Sequence, residues 1–381
     1  MGERDDILHA LERWHGRSAA LATVVGAEGS TYRREGARMV VPIEGEPVGT
    51  ISGGCLEPEV VEEARRVVAD GVPRLVRYDL TGEEEALVGW KLGCQGRMEL
   101  LIEPLDRAAP LLAAARRVHE EGISLALVTA LELGGRVSGA RWIVDPDGTL
   151  SGSAGDPAGD VELTDVARRA LASSVSGQQQ LSNGDRVFIE VLDPPFHLVV
   201  CGAGEDARPV VELAARLGWR VEVLDHREAL LTGDRFPSAA RRIPVATADT
   251  LSDRVKIGSR SSVLLITHDY QRDKQLLRHL LPGPAPYVGI VGPRTRRRRL
   301  LDELAAEGLR IDDTMRCRVY GPAGLDLGAE GPEEIAWSVI AEILAVSRGR
   351  AGGSLRQRPG SGAAARTVAS SVSSAATAAA K

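Results

Sequence analysis

Aromatic side chains are scarce in this sequence: Phe, Trp and Tyr together make up 3% of 381 residues. Its cores must therefore be assembled from Leu, Val and Ala. Cysteine is scarce too. Cys55, Cys94, Cys201 and Cys317 stand far apart and form no Cys-x-x-Cys pair. That spacing excludes a zinc ribbon and argues against a disulfide framework, so free thiols in a reducing cytosol are expected. A basic excess is missing as well. The formal net charge of -6 is the wrong sign for a general nucleic-acid binder. No apolar run approaches the length that crosses a bilayer, and no apolar segment follows the charged residues 1–6. These absences predict a soluble cytoplasmic protein with neither nucleic acid nor membrane as partner.

What is present is an ordinary globular balance, 43% apolar and 26% charged, in a chain long enough for two domains. The first, 1–193, opens with an amphipathic helix carrying Ile7, Leu8, Leu11 and Trp14. Strands are expected at 20–25 and 38–42 with a loop, 26–36, between them. A helix is expected from Pro58, a good start signal, to about 69, with Gly71 as its stop. Further strands read at 98–102, 142–145 and 186–192, and one more helix at 111–121. Asp193-Pro194-Pro195 reads as a stiff linker.

From 194 to 348 strand and helix alternate, with strands at 197–201, 220–225, 242–246, 262–267 and 287–292. Helices read at 206–217, 272–281, 295–307 and 332–346. Short, continuously apolar strands predict a parallel sheet covered on both faces. The last segment, 349–381, is Gly, Ser and Ala with little to bury and is expected to be a disordered tail. The fold class is thus α/β, an N-terminal cysteine-loop domain followed by a Rossmann-like doubly wound sheet of order 3-2-1-4-5.

The first strand of the second domain runs into Cys201-Gly202-Ala203-Gly204-Glu205-Asp206-Ala207. Gly202 permits a tight turn, Gly204 lets backbone approach a pyrophosphate, and Ala207 is small enough for helix packing. Asp225 ends the next strand, 21 positions after Gly204, where an acid meets a ribose 2′-hydroxyl. A dinucleotide, NAD before NADP, is the ligand this pattern suggests, with nearby Arg227 leaving NADP open. Glu205 and Asp206 put two negative charges beside the phosphate position.

In the first domain, Ser52-Gly53-Gly54-Cys55 precedes a helix start, where the helix dipole favours thiolate. Soft thiolates suit soft metal centres, and glycine N–H groups can bind an anion. A tight turn around a packed cysteine is the competing reading. Leu92-Gly93-Cys94-Gln95-Gly96 repeats that chemistry, while Cys201 and Cys317 read as packing residues. His268, in Thr267-His268-Asp269 after the fourth Rossmann strand, borders the ligand crevice. Tyr270 and Lys274 read as a surface helix pair. Arg294, Arg296, Arg297, Arg298 and Arg299 crowd one helix start, where an anion would relieve their repulsion.

Gly29-Ser30, Arg33, Gly36-Ala37, Met39 and Ser52-Gly53-Gly54-Cys55-Leu56-Glu57, with Gly93-Cys94, Gly96 and Thr267-His268-Asp269, resemble the XdhC/CoxI family over about 5–348. Its members are accessory proteins of xanthine dehydrogenase and carbon monoxide dehydrogenase. The resemblance implies a chaperone that protects the molybdenum cofactor, as molybdopterin or its dinucleotide form, and inserts it into an apo molybdenum hydroxylase. It implies that Ser52, Gly53, Gly54, Cys55 and Cys94 bind the cofactor, with Cys55 as the molybdenum contact. Gly202, Gly204, Asp225, His268 and Arg294 then hold the nucleotide or phosphate part. No catalytic residue is assigned. A cysteine desulfurase as second partner and a homodimer stay open. Two positions depart from the family pattern: Gln95 stands where glycine is usual, and Pro293 where serine is usual. The rival readings are an NAD(P)-dependent oxidoreductase and a redox sensor built on Cys55.

Overall fold

The computed structural model describes residues 2–80, 95–155 and 157–357. The chain divides into two compact units, one spanning Asp6–Pro194 and the other Pro195–Gln357 together with residues 2–5.

The first unit holds two antiparallel sheets. In spatial order the five strands of the first are Val48–Gly49, Arg38–Pro42, Ala19–Ser30, Gln95–Pro104 and Arg74–Asp79. Side chains alternate across its strands, as a pleated backbone requires. Ala20, Ala22 and Val24 turn to the helix Glu57–Asp70, which buries Val60, Ala64 and Val67 on that face. Leu21 turns the other way, into a core shared with the helices Glu3–Trp14 and Ala109–Glu121. Residues 26–30, expected in a loop, continue the strand by pairing with 99–95. Their composition shows no alternation, so backbone pairing alone extends it.

The second sheet runs Gly177–Gln180, Arg186–Leu192, Leu125–Leu133, Arg141–Val144 and Leu150–Ser151, with Arg136–Val137 hairpinned onto Leu125–Leu133. A helix the sequence reading missed, Pro157–Ser173, covers it with Leu163, Val166, Ala167 and Ala170. That spacing is helical, but two of its four anchors are alanines and the apolar signal is weak.

Among the described residues three ion pairs join the sheets. Arg38 meets Glu190, Arg186 meets Glu99, and Arg141 meets Glu103. The last is fully interior, with side chains 2% and 0% exposed. Arg141 also donates to the carbonyls of Arg107 at 3.0 Å and Gly139 at 3.3 Å. Gly139 has φ +81° and lies so close that a Cβ there would stand 2.8 Å from Glu103 Oε2.

The second unit is one parallel sheet in the order Arg241–Pro244, Arg220–Asp225, His197–Cys201, Ser261–Leu265, Tyr287–Ile290 and Val319–Tyr320. The first five strands carry the order 3-2-1-4-5; the sixth, of two residues, is an addition. Helices Ala207–Arg216 and Gly331–Ser347 cover one face through Val210, Val211, Val339 and Ile343. Tyr270–Leu280 and Arg294–Ala306 cover the other through Leu276, Leu277, Leu300 and Leu304. Cys317, read as a packing residue, is exposed at the end of a short helix, Asp313–Cys317. Of the segment read as a tail, residues 351–357 are exposed, and 358–381 lie outside the described residues.

Removing one partner of a buried ion pair strands the other charge. Arg141→Ala is therefore expected to destabilise the protein by about 3–5 kcal/mol, measured by urea unfolding. The double change Glu103→Leu with Arg141→Met should restore most of that loss; no recovery would show that the pair is not the cause.

Candidate functional site

The cysteine loop is folded around one carboxylate. Glu57 is the first residue of the helix Glu57–Asp70, and its side chain turns back into the loop before it. Its oxygens accept from Thr50 Oγ1 at 2.8 Å, Ile51 N at 3.1 Å, Ser52 N at 2.9 Å, Gly53 N at 3.2 Å and Gly54 N at 2.8 Å. The Ser52 hydroxyl also donates to Glu57 while accepting from Leu56 N at 2.8 Å. Burial raises the Glu57 pKa, but the Ser52 and Thr50 hydrogen bonds outweigh it and bring the group from 4.5 to about 2. Gly53 and Gly54 sit at φ +84° and +115°, conformations that only glycine adopts without strain.

The N–H groups of these glycines thus face Glu57 instead of an open anion site. A carboxylate tethered three residues away has an effective concentration that a dissolved anion cannot match. Cys55 follows, half-buried against the core of the first sheet, with its thiol directed at the Ser52 carbonyl, 3.7 Å away. The loop therefore fixes where the sulfur sits. Cys94, the second candidate thiol, lies outside the described residues.

Beside this loop an open cleft of about 530 Å³ is lined by Tyr32, Arg33, Arg34, Glu35, Gly36 and Ala37. A Cβ at Gly53 would stand 3.2 Å from the Tyr32 ring, so cleft and loop adjoin. Sequence reasoning missed Glu57 as the organiser. The available signal was an acid in the first helical turn, just after two glycines.

In the second unit the glycine turn is built as expected but its polar groups are already partnered. Gly202 has φ +126°, and a Cβ there would stand 2.3 Å from the Ile266 carbonyl oxygen. Asp225 accepts from Ala203 N at 2.7 Å, Arg227 N at 2.8 Å, and Arg227 Nε and Nη2 at 3.1 and 2.9 Å. Burial raises its pKa, but the Arg227 and Ala203 donors bring it down to about 2. A ribose at Asp225 would have to displace Arg227.

Across the helix start, Asp206 is 2.6 Å from His268 Nε2, and His268 holds a positive φ of 58°. A Cβ at Gly204 would stand 2.6 Å from Asp206 Oδ1. The crevice between Cys201, Gly202, Asp225 and Thr267 encloses about 10 Å³. Gly202, Gly204, Asp225 and His268 are thus brought to one edge of the sheet. Arg294 starts the helix Arg294–Ala306 and is exposed there. Arg296 pairs with buried Asp273 and Arg299 with Glu303, so part of the arginine cluster is neutralised internally. Lys274 bridges Glu303 and Glu307. Burial pushes the Cys201 thiol up to about 12, which keeps it protonated.

Glu57→Ala removes the acceptor of six donors, of which Gly53 N alone keeps another, Thr50 Oγ1 at 3.2 Å, and is expected to lower stability by about 2 kcal/mol or more. The pH dependence has a fixed sign: Glu57 has a lowered folded pKa, about 2 against 4.5. Its contribution is complete above about pH 4.5 and fades as pH falls towards 2. The stability gap between wild type and Glu57→Gln, from urea unfolding at several pH values, should shrink across that window. A gap that grows on acidification would show the ionised carboxylate does not organise the loop.

Comparison with known proteins agrees with this architecture. A family model described as the XdhC Rossmann domain matches residues 198–343, and one described as the XdhC and CoxI family matches residues 13–79. The chain is 30% identical over 328 residues to a probable xanthine dehydrogenase subunit of Bacillus subtilis, covering 86% of this chain and 92% of that protein. It is 24% identical to the molybdenum cofactor insertion chaperone PaoD of Escherichia coli, covering 87% of this chain and 84% of that one. A crystal structure described as a xanthine dehydrogenase from Bacillus halodurans superimposes with a TM-score of 0.75 at 30% identity, over 94% of this chain and 98% of that one. With such identity over nearly the whole of a relative, and both units matched by the family's own models, the chain belongs to the XdhC and CoxI family.

Proposed function

We propose that this chain is an accessory protein that binds the molybdenum cofactor and inserts it into a molybdenum hydroxylase of the xanthine dehydrogenase kind. The observation that carries the reading is the Cys55 thiol, half-exposed on a loop that Glu57 holds in place beside an open cleft. A soft sulfur donor suits a molybdenum–dithiolene centre. A single thiol contact also suits cargo that has to leave again. The relatives named above support the same reading, one as an insertion chaperone and one as a probable xanthine dehydrogenase subunit. In this reading Ser52, Gly53 and Gly54 shape the loop, and Cys55 meets the metal end of the cofactor.

Cys317 is exposed on another unit and serves as the control thiol. Cys55→Ala in the full chain is expected to weaken retention of isolated molybdenum cofactor by about tenfold or more, a loss of roughly 1.4 kcal/mol. Cys317→Ala should retain it as wild type does. The measurement is molybdenum and pterin content after gel filtration, paired with activation of an apo hydroxylase. Equal retention by wild type and Cys55→Ala would remove the cysteine loop from the site.

A further inference from the structure

Three small residues define the glycine turn of the second unit, and each has an internal reason to be small. Gly202 lies against the Ile266 carbonyl, which leaves no room for a Cβ. Ala207 is fully buried in the core of one sheet face. At Gly204 the space a Cβ would take is held by Asp206 Oδ1, 2.6 Å away. In a dinucleotide site that space lets the backbone approach the pyrophosphate. Here a carboxylate of the chain stands in it, and His268 Nε2 lies 2.6 Å from its other oxygen. Glu205 beside it is held by Arg208 at 2.8 Å and Arg235 at 2.5 Å. A pyrophosphate would bring its charges to a helix start that already carries two acids.

The ribose position is filled in the same way. The Asp225 side chain is 2% exposed. Its Oδ1 accepts from Arg227 N at 2.8 Å and Arg227 Nε at 3.1 Å, with His226 Nδ1 also 3.1 Å away. Its Oδ2 accepts from Ala203 N at 2.7 Å and Arg227 Nη2 at 2.9 Å. A carboxylate offers about four lone-pair sites, so none is left for a ribose hydroxyl.

Beyond Asp225 the crevice is walled by Val245 and Arg272. Arg272 belongs to the helix Tyr270–Leu280, which follows the fourth strand. It donates to the carbonyls of Val245 and, at 3.2 Å, of Ala246, both after the third strand. In the order 3-2-1-4-5 those two strands flank the crevice, so this side chain ties its walls together where a base would need them apart. The enclosed space, about 10 Å³, has room for about one water. A small-molecule site needs about 300 Å³ or more.

We infer that the second unit, Rossmann in topology, takes no dinucleotide: Asp206, Arg227 and Arg272 occupy its pyrophosphate, ribose and base positions. The fold suggests a ligand that the residues of this chain do not fit. The unit is a scaffold closed by its own ion pairs and hydrogen bonds. This assignment is independent of the reading of Cys55, which belongs to the other unit.

The test is calorimetry on the full chain with NAD, NADP and inorganic pyrophosphate, with amide hydrogen exchange followed at residues 202–207. Wild type is expected to show no saturable binding of NAD or NADP up to several millimolar, and no change of exchange in that segment. Saturable binding that slows exchange there would overturn the inference. Binding that leaves exchange there unchanged lies elsewhere on the chain, and the inference stands. Asp206 makes no side-chain cap of its own helix, so alanine should be tolerated at that position. Asp206→Ala is expected to bind pyrophosphate at least about tenfold more tightly than wild type, because the helix start loses its internal anion. Asp206→Asn, which removes only the charge, should shift the same way and carries the test if the alanine variant melts early. Pyrophosphate binding unchanged in both variants would overturn the assignment of Asp206 to the pyrophosphate position.

Discussion

Everything about the position of Cys55 depends on the carboxylate of Glu57. The chain turns here through two successive left-handed glycines after the buried residues Ile51 and Ser52, whose N–H groups could not be left unpaired without a desolvation cost. Here one ionised side chain answers Thr50, Ile51, Ser52, Gly53 and Gly54 together. The helix that follows supplies Glu57 at its first turn, where negative charge is favoured. Loop, helix start and thiol are therefore one construction. The thiol is presented by a scaffold whose polar groups are satisfied before any ligand arrives.

The second unit uses the same device on a different motif. Asp225 takes the N–H of Ala203 in the glycine turn and is itself held by Arg227. Asp206 and His268 close over the adjacent helix start. In both units, places where a glycine-rich turn offers donors are filled by an acid from the chain. This stabilises the turns, and any anionic guest must compete with an internal one. Competition of that kind favours guests that bring further contacts, such as a metal on a thiol.

The Rossmann half was legible because its evidence is local: apolar strands of constant length, a glycine turn, and an acid at the end of the next strand. The partners of that acid were not legible, because Arg227 folds back on Asp225 through side-chain geometry that spacing does not encode. The helix Pro157–Ser173 was hidden by its alanine-rich face, and the extension of Ala19–Ser30 by a stretch with no alternation. The cysteine loop was visible as a motif, yet its expected open N–H groups turned out to be taken by Glu57. The meeting of the two sheets of the first unit could not be read at all. Those sheets meet through ion pairs such as Arg141 with Glu103, which no periodicity announces.

The scarcity of aromatic residues sharpens the meaning of the few that are present. With aromatics at 3%, the cores are aliphatic, and Tyr287 is the one tyrosine among the largest fully buried side chains of the described residues. Tyr32 is 66% exposed beside the cysteine loop, and Tyr78 is half-buried against the core of the first sheet. An exposed aromatic ring gives up most of the burial that makes such side chains stabilising in a core. What the ring keeps is a flat, polarisable face turned towards a cleft. Folding gives Tyr32 one contact there: its ring lies against Gly53, whose missing Cβ leaves the room for it.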